Sequence, residues 1–365
     1  MTASLPLVEA ISQRLDSFTQ GRRDEAADLG DEGRGFLDHA AASLRGGKRL
    51  RARFCWWGWR GVAGTDDAAS PDADAVVGAA AALEIFQAAA LVHDDLIDNS
   101  DTRRGRPSAH RALEAAHRAA GWSGDAQAYG RAGSVLLGDL LVAWSDDLLE
   151  ESLAQLGSPA AAAAARTEYA RMRRDVTVGQ FLDVAEESAW STAADDAHAD
   201  RALRVASYKS ARYSVQQPLV IGGALAGGDD ARLAALAAFG HPLGMAFQLR
   251  DDVLGVFGDT AETGKPAGDD LREGKRTALV AFARAAATPG ERVRFDELLG
   301  DAAMTEQDVA WLRERIRATG SLERVEHLIS GYAAEADAAL DAADLEPGAT
   351  AELRALARAA VERRA

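Results

Sequence analysis

The sequence has little of several things that mark other classes of protein. Cys55 is the only cysteine among 365 residues, so no intrachain disulfide can form, which favours a reducing compartment such as the cytoplasm. Aromatic residues make up 6%, and runs rich in Val, Ile, Thr or Tyr are scarce, so no sheet is expected. Alanine, a strong helix former, is abundant instead. The composition therefore predicts an all-α protein.

Positive charge is also in short supply, because 41 Lys and Arg face 57 Asp and Glu, for a net charge of −16. This balance argues against nucleic acid or an anionic membrane surface as the main partner, although a local basic cluster could still bind a small anion. No basic segment followed by an apolar core opens the chain, so no signal peptide is expected. Apolar runs fall short of the ~20 residues of a membrane span. We expect a cytoplasmic protein without a membrane span.

Charge of both signs is concentrated in residues 91–111, LVHDDLIDNSDTRRGRPSAHR, which follow an apolar, Ala-rich run of helical period. Asp94 and Asp98 are spaced i, i+4, so their carboxylates share one helix face and repel by roughly 0.2–0.5 kcal/mol. Mg²⁺ would relieve this repulsion, since it is usually bound by one or two carboxylates together with substrate phosphates. Arg103 and Arg104 follow, and guanidinium groups bind phosphate bidentately. The alternative is a solvated acidic helix end and a basic turn.

A second acidic pair ends another apolar run, within a helix predicted over residues 229–257. Asp251 and Asp252 stand in the stretch FQLRDDVLG at 247–255. Residues 258–275 are rich in glycine and charge, which predicts a loop or lid. It contains two lysines that could close over phosphates, Lys265 and Lys275.

A third signal is GGKRLR at residues 46–51. Paired glycines before a helix let backbone N–H groups approach an anion, and the helix N-terminus adds its positive end. Lys48 and Arg51 are i, i+3 and share a face, which suits a diphosphate; the alternative is a helix end followed by surface cations. Gln87, two turns before Asp94, fits a ligand contact as well as a core amide.

Helix boundaries follow from capping and breaking residues. Ser70 as N-cap, with proline after it, predicts a helix that runs to about Asp98. Residues 21–35 read as a loose connection. The helical stretch that contains Tyr208-Lys209-Ser210 is predicted to end near Pro218.

Taken together and in order, these motifs resemble those of the trans-isoprenyl diphosphate synthases, the polyprenyl synthetase family, over roughly residues 36–279. The matching elements are GGKRLR, Gln87, DDLID with its double arginine, YKS, FQLRDD, TGK and DDLREGK. The resemblance implies an all-α, single-domain bundle of long helices around a central apolar cavity, covering residues 1–365 with 1–35 as a peripheral segment. It also implies a homodimer that uses Mg²⁺, with Mn²⁺ as an alternative, and condenses isopentenyl diphosphate with an allylic diphosphate.

The resemblance also implies roles for individual residues. The metal ligands would be Asp94, Asp98 and Asp251, supported by Asp95 and Asp252. The allylic diphosphate would be held by Arg103, Lys209 and Lys265. Isopentenyl diphosphate would be bound by Gly47, Lys48, Arg51, Gln87 and Arg104. Oxygens near the developing cation would come from Ser210 and Gln248, and Lys275 is a further substrate-binding residue.

Two positions depart from the family's pattern. Gly255 stands at the fifth position of the second acidic motif, where the pattern has an aspartate. Because the first aspartate of that motif is the usual ligand, metal binding is expected to survive, with Asp259 as a candidate to compensate in the adjoining network. Ser210 replaces a threonine and keeps the hydroxyl.

Small residues before the first acidic motif predict the length of the product. Ala90 and Ala89 lie four and five residues before Asp94, where the resemblance implies bulky aromatics in many farnesyl-making members. The next large side chain on roughly the same face is Phe86. It precedes Ala89 and Ala90 by about one helical turn, which is ~5.4 Å. Geranylgeranyl diphosphate is therefore the predicted product, and farnesyl diphosphate or a longer chain is the alternative.

Three other classes of protein share parts of this pattern. A class I terpene cyclase also uses an aspartate-rich helix, but it needs no seat for a second diphosphate, and its usual Asn/Ser/Glu metal motif does not occur here. A non-catalytic synthase subunit typically lacks an intact acidic motif, whereas DDLID is whole. His93-Asp94 would suit a metal phosphohydrolase, but the remaining histidines show no ligand spacing.

Overall fold

The structure is a computed structural model that describes residues 4–26, 28–64, 70, 72–103, 105–258, 268–301 and 303–361. The described residues are overwhelmingly helical, which confirms the predicted all-α class. The chain divides into two compact units, unit 1 with Met1–Trp59 and Thr65–Ala162 and unit 2 with Arg60–Gly64 and Ala163–Ala365. A single domain with a peripheral segment 1–35 stays a prediction.

The helices of unit 1 are α1 (Ser4–Glu25), α2 (Gly30–Ser43), α3 (Leu50–Ala63), α4 (Ala73–Ile97), α5 (Ala109–Ala119) and α6 (Ala126–Leu153). A short antiparallel hairpin, β1 (Thr102–Arg103) and β2 (Arg106–Pro107), lies between α4 and α5. The last residues of α3, from Arg60 onward, belong to unit 2. The helix that follows α6 begins in unit 1, which extends to Ala162.

Unit 2 contains α7 (Pro159–Ala189), α8 (His198–Val205), a π-helix (Ala206–Gln216), α9 (Gln217–Leu225), α10 (Asp230–Phe257), α11 (Asp269–Arg272), α12 (Ala278–Ala286), α13 (Pro289–Leu298), α14 (Glu306–Ala318), α15 (Ser321–Ala342) and α16 (Pro347–Val361).

Unit 1 is built around α4, which packs chiefly on α6, with α1 also against it. Ser145 of α6 donates a hydrogen bond to the Ala82 carbonyl, 2.9 Å away, so the two helices are tied by a polar contact within the apolar core. By length and composition α4 could cross a membrane, and it is longer than the apolar runs read from the sequence. However, 78% of its most apolar window is buried, as in a core helix. The expected absence of a membrane span stays a prediction.

Unit 2 is built around α10, which packs on the π-helix, α15 and α9. Asp229 caps α10 by accepting from the Arg232 N–H at 2.9 Å, so the predicted helix start is confirmed. A Cβ at Gly244 would lie 2.7 Å from Cα of Ala211, so glycine is what allows α10 to approach the π-helix closely. This contact places the wide turns of the π-helix directly against the helix that carries the second acidic motif.

Three local predictions are wrong. Residues 21–35 are mostly helical, since α1 runs to Glu25 and α2 begins at Gly30. The apolar face of α1 is buried, and α2 packs against α1. Asp72, not Ser70, precedes α4 as N-cap. Helical structure continues past Pro218 to Leu225, because this proline lies in the first turn of α9, where the missing N–H matters least.

Candidate active site

The first acidic motif lies at the end of α4, where one carboxylate is already neutralised. Asp95 is 3% exposed and accepts from Nε of Arg103 at 2.8 Å as well as from Nη2. The same Nη2 is 3.5 Å from Asp94 Oδ2. Arg103 stands in β1, so the hairpin folds it back onto α4. A buried charge without a partner costs several kcal/mol, and the ion pair with Arg103 offsets this cost for Asp95. Asp94 and Asp98, on the same helix end, are half-buried.

His93, directly before the motif, is fixed by α6. Its Nε2 lies 3.3 Å from the Val135 carbonyl and 3.5 Å from Asp139 Oδ1. A Cβ at Gly138 would overlap the imidazole ring, so any larger residue at this position of α6 would force the His93 side chain to move. Gly138 carried no recognisable signal in the sequence, because its role depends on a residue 45 positions earlier.

The GGKRLR turn is anchored to α4 from inside. Gly46 and Gly47 have φ of 76° and 92°, and Arg49 adopts a left-handed φ of 50°, which is uncommon for a non-glycine residue. Arg49 is buried, donates to the Leu44 carbonyl at 2.7 Å and lies 3.8 Å from Oε2 of Glu84. These contacts offset the backbone strain and fix the shape of the turn.

Glu84 of α4 also completes the start of α3, because its Oε1 accepts from the Ala52 N–H at 3.1 Å. Lys48 is exposed and Arg51 is half-buried, so the turn presents the two predicted phosphate-binding cations while Arg49 and Glu84 hold it from behind. Sequence reasoning missed both of these residues. The available signal was a lone glutamate in an apolar helical run, which needs a partner.

The second acidic motif occupies the last turns of α10. Asp252 is 6% exposed and accepts from Nε2 of Gln248 at 2.7 Å. Burial, and next the negative charge of Asp270, raise the pKa of the Asp252 carboxyl to about 8. Asp251, beside it, is half-buried. As in the first motif, one carboxylate is buried and hydrogen-bonded while a neighbour is more accessible.

The YKS motif lies in the π-helix, a conformation that is rare and often found at functional sites. Lys209 Nζ donates to Asp183 Oδ2 of α7 at 2.5 Å. A Cβ at Gly179 would lie 2.7 Å from Cα of Lys209, so the glycine lets α7 approach the π-helix. Asp183 precedes Lys209 by 26 residues in the chain, and the structure brings the two side chains together. Ser210 is half-buried.

The remaining candidate residues lie after α11, on α4 or outside the described residues. Lys275 Nζ is 3.2 Å from Asp270 Oδ1 and 2.7 Å from Glu273 Oε2. Gln87 is half-buried, Ala89 and Phe86 are buried, and Ala90 is half-buried, all on α4. Three positions lie outside the described residues: Arg104, Asp259 and Lys265.

The donor set fits Mg²⁺ bound together with a phosphate ligand. Within the described ranges, no group of three Asp, Glu, His or Cys side chains is arranged to hold an ion by itself. Asp94 and Asp98 of the first motif and Asp251 of the second are half-buried, so each motif has one or two carboxylates that are more accessible than the buried Asp95 and Asp252. Mg²⁺ commonly takes that number and completes its shell with water and phosphate oxygens.

A family model and several known proteins are similar to this chain in sequence. The family model described as polyprenyl synthetase matches residues 36–316. The geranylgeranyl diphosphate synthase of Mycobacterium tuberculosis is 31% identical over 283 residues, 78% of this chain and 71% of the relative. A (2E,6E)-farnesyl diphosphate synthase of the same organism is 31% identical over 274 residues, 73% of this chain and 68% of the relative.

A solved structure is similar over nearly the whole chain. It is a geranylgeranyl pyrophosphate synthase from Corynebacterium glutamicum, complexed with isoprenyl diphosphate and magnesium. The TM-score is 0.91 at 41% identity, and the match covers 98% of this chain and 99% of the other.

Proposed function

Because the chain belongs to the polyprenyl synthetase family, the trans-isoprenyl diphosphate synthases, we propose that it condenses isopentenyl diphosphate head-to-tail with an allylic diphosphate to give geranylgeranyl diphosphate. The protein is a trans-prenyltransferase that makes short-chain prenyl diphosphates. In the proposed reaction the allylic C–O bond breaks and diphosphate leaves. The isopentenyl double bond then attacks the allylic carbon, and a proton is lost.

The single observation that carries this proposal is the pair of acidic helix ends. Each has one buried carboxylate held by a side chain, Asp95 by Arg103 and Asp252 by Gln248. We propose Asp94, Asp98 and Asp251 as the metal ligands, with Mg²⁺ as the ion and Mn²⁺ as an alternative. When bound, the metal would neutralise the charge that develops on the departing diphosphate.

Cations at defined positions would hold the two substrates. Lys48 and Arg51, with Gly47, Gln87 and Arg104, are proposed to seat isopentenyl diphosphate. Arg103, Lys209, Lys265 and Lys275 are proposed to hold the allylic diphosphate. The Lys209–Asp183 ion pair would fix the direction of that ammonium group before substrate arrives, which lowers the entropic cost of binding.

The twenty-carbon product rests on the side chains of α4. Ala89 and Ala90 leave room, and Phe86 is the proposed floor that limits the chain. Farnesyl diphosphate is the competing product, since a farnesyl-making relative is as similar in sequence as the geranylgeranyl-making one.

We further propose a cytoplasmic homodimer. In unit 1, α6 exposes two large apolar side chains, Val135 at 45% and Leu136 at 60%. In unit 2, α7 exposes Val178 at 52% and Phe181 at 68%. Contiguous exposed apolar side chains commonly mark association surfaces, and a second copy of the chain is the proposed partner.

Product analysis tests the proposal. The protein is incubated with isopentenyl diphosphate, Mg²⁺ and each allylic primer, and the dephosphorylated products are separated against prenyl alcohol standards. We expect the C20 alcohol, and we expect Asp94→Ala or Asp251→Ala to cut turnover by orders of magnitude because the leaving-group charge is left unneutralised.

Three results would count against the proposal. Elongation of no primer would contradict the condensation itself. Hydrocarbons formed without isopentenyl diphosphate would indicate a cyclase. Near-wild-type turnover by either aspartate variant, with unchanged circular dichroism and saturating Mg²⁺, would refute the metal assignment.

A further inference from the structure

Arg250 stands directly before Asp251 in the second acidic motif, yet its side chain is engaged with other helices. Its guanidinium forms a bidentate ion pair with Glu326 of α15, in which Nη1 donates to Oε1 at 2.6 Å and Nη2 to Oε2 at 2.7 Å. Its Nε donates to the carbonyl of Val361, the last residue of α16, at 3.1 Å. Every nitrogen of the group is therefore used to join α10 to two other helices.

We call Arg250, Glu326 and the Val361 carbonyl the α10 clamp. A bidentate pair between a guanidinium and a carboxylate has a fixed, planar geometry, and a cation at the C-terminal end of a helix interacts favourably with the helix dipole. The Arg250 side chain is 13% exposed, so water competes with its bonds less than it would at an open surface. The clamp is therefore a directional link between three helices of unit 2.

The α10 clamp affects the two carboxylates of the motif because they follow Arg250 by one and two residues on the same helix. Leu249 and Val253 are buried beside them, but apolar packing is non-directional and restricts rotation of the helix about its axis less strictly than hydrogen bonds do. For side chains that reach roughly 5–6 Å from the axis, a rotation of about 10° moves their ends by about 1 Å. A misplacement of that size can cost about a hundredfold in rate, so a contact that fixes the rotation of α10 has a functional consequence.

We propose that Arg250 is a positioning residue for the second acidic motif, which holds Asp251 in place for the metal and the diphosphate while touching neither. The inference rests on the proposed function of that motif. It gives α15 and α16, which carry none of the sequence motifs, a part in the site. Loosening the α10 clamp should weaken metal binding at this motif and leave the seat for isopentenyl diphosphate, which lies in unit 1, unchanged.

Binding of Mn²⁺ to the full chain in the presence of inorganic diphosphate, followed by the electron paramagnetic resonance of free Mn²⁺, measures the first effect. Arg250→Gln removes the ion pair, and we expect the dissociation constant of one Mn²⁺ site to rise about threefold to thirtyfold, as for residues that act on a site without contacting its ligand. Arg250→Lys keeps the charge but cannot bind bidentately, so it should restore only part of the affinity.

Steady-state kinetics measure the second effect. In Arg250→Gln the Mg²⁺ concentration at half-maximal turnover and the KM for the allylic diphosphate should both rise, because the metal and that diphosphate are proposed to bind together. The KM for isopentenyl diphosphate should stay as in wild type. A general loss of folded protein would lower kcat and leave both KM values unchanged, so this split distinguishes positioning from stability.

Glu326→Gln tests the other half of the α10 clamp. It should reproduce the effect of Arg250→Gln on Mn²⁺ binding. The double variant should bind Mn²⁺ no more weakly than the more affected single variant, because the effects of residues in one ion pair are not additive.

Arg284→Gln is the matched control for the loss of a bidentate pair in unit 2. Arg284 pairs with Asp296, Nε to Oδ1 at 2.7 Å and Nη2 to Oδ2 at 2.9 Å, and its side chain is 9% exposed. Because Arg284 also pairs with Asp195, its substitution should lower the urea midpoint at least as much as Arg250→Gln does. It should leave Mn²⁺ affinity as in wild type.

The outcomes separate this inference from the proposed function. If wild type binds Mn²⁺ and elongates prenyl chains while folded Arg250→Gln and Glu326→Gln bind Mn²⁺ as wild type does, the inference is wrong and the function stands. An equal loss of affinity in Arg284→Gln would show a general effect of lost stability and would overturn the inference too. If wild type neither binds Mn²⁺ nor elongates, the proposed function fails first and this inference fails with it. Should Arg250→Gln not fold, the milder changes Arg250→Lys and Glu326→Gln decide.

Discussion

At the scale of single residues, each acidic motif uses a built-in partner to keep a carboxylate in place. Asp95 is held by Arg103 and Asp252 by Gln248. The two partners have different consequences, because a guanidinium cancels the charge of its carboxylate while an amide does not. The buried Asp252 carboxyl therefore keeps a raised pKa, although it accepts a hydrogen bond from Gln248.

This difference predicts a pH dependence of stability in protein freed of metal by a chelator. The pKa of Asp252 is raised from 3.8 to about 8 in the folded state, chiefly by burial. Between these two values the folded protein holds a proton that the unfolded chain releases, so the free energy of unfolding falls as pH rises, by about 1.4 kcal/mol per pH unit from this group. The loss is complete above the folded pKa.

Urea unfolding midpoints of chelator-treated protein at pH 5, 6, 7 and 8 measure this slope. Asp252→Asn should flatten it, whereas Asp200→Asn, which removes an exposed carboxylate from α8, should leave it as in wild type. Equal slopes for wild type and Asp252→Asn would show that this carboxyl is not protonated in the folded protein.

At the scale of elements, one long helix combines structural and functional roles. α4 is the buried centre of unit 1, carries Glu84 against the GGKRLR turn, and ends in the first acidic motif. Since a helix rises about 1.5 Å per residue, residues before Asp94 lie at graded distances from the proposed metal site. This geometry is suited to measuring the length of an apolar chain.

The role of α4 as a ruler predicts opposite effects for two substitutions. Phe86→Ala should lengthen the product beyond C20, because it removes the proposed floor, and Ala90→Phe should shorten it to C15 or C10 by raising that floor by about one turn. Chromatography of the dephosphorylated products against prenyl alcohol standards measures the chain length.

Phe295→Ala is the matched control for the loss of a buried ring, since Phe295 lies in α13 and is buried as Phe86 is. A large-to-small change in a core costs about 3–5 kcal/mol, so folding of all variants is checked by circular dichroism. Unchanged products from both α4 variants would remove this helix as the ruler.

At the scale of the whole molecule, α7 exposes large apolar side chains to solvent. Val178, Phe181 and Val184 of α7 recur every three residues, and all are at least 38% exposed. Such spacing gathers side chains along one side of a helix. The opposite side of α7 meets the π-helix through Gly179, so the same helix joins the site to the proposed association surface.

We expect the wild-type protein to sediment as a dimer at micromolar concentration and Phe181→Glu to sediment as a monomer, because the substitution buries an unpaired charge in the interface. Val293→Glu is the matched control, since Val293 is 59% exposed on α13 and should leave the dimer intact. A wild-type monomer, or a Phe181→Glu dimer, would contradict the proposed surface.

The sequence by itself determined the helical class, the start of α10 at Asp229 and the family, because helical period, capping residues and short motifs are local properties of the chain. It also singled out the two acidic motifs and GGKRLR. Its boundary error at Ser70 displaces a helix start by two residues, and its error at Pro218 arose because a proline in the first turn of a helix does not end helical structure.

Only the tertiary structure decided which groups meet. Arg103 turns back to Asp95, Glu84 holds Arg49, and Asp183 reaches Lys209, although separation along the chain gives no sign of these pairs. Glycine at 138, 179 and 255 has a meaning only through the atom that occupies the space of its missing side chain. The physical reason is that packing and charge pairing depend on distances of a few ångströms between segments remote in sequence, and those distances exist only once the helices have packed.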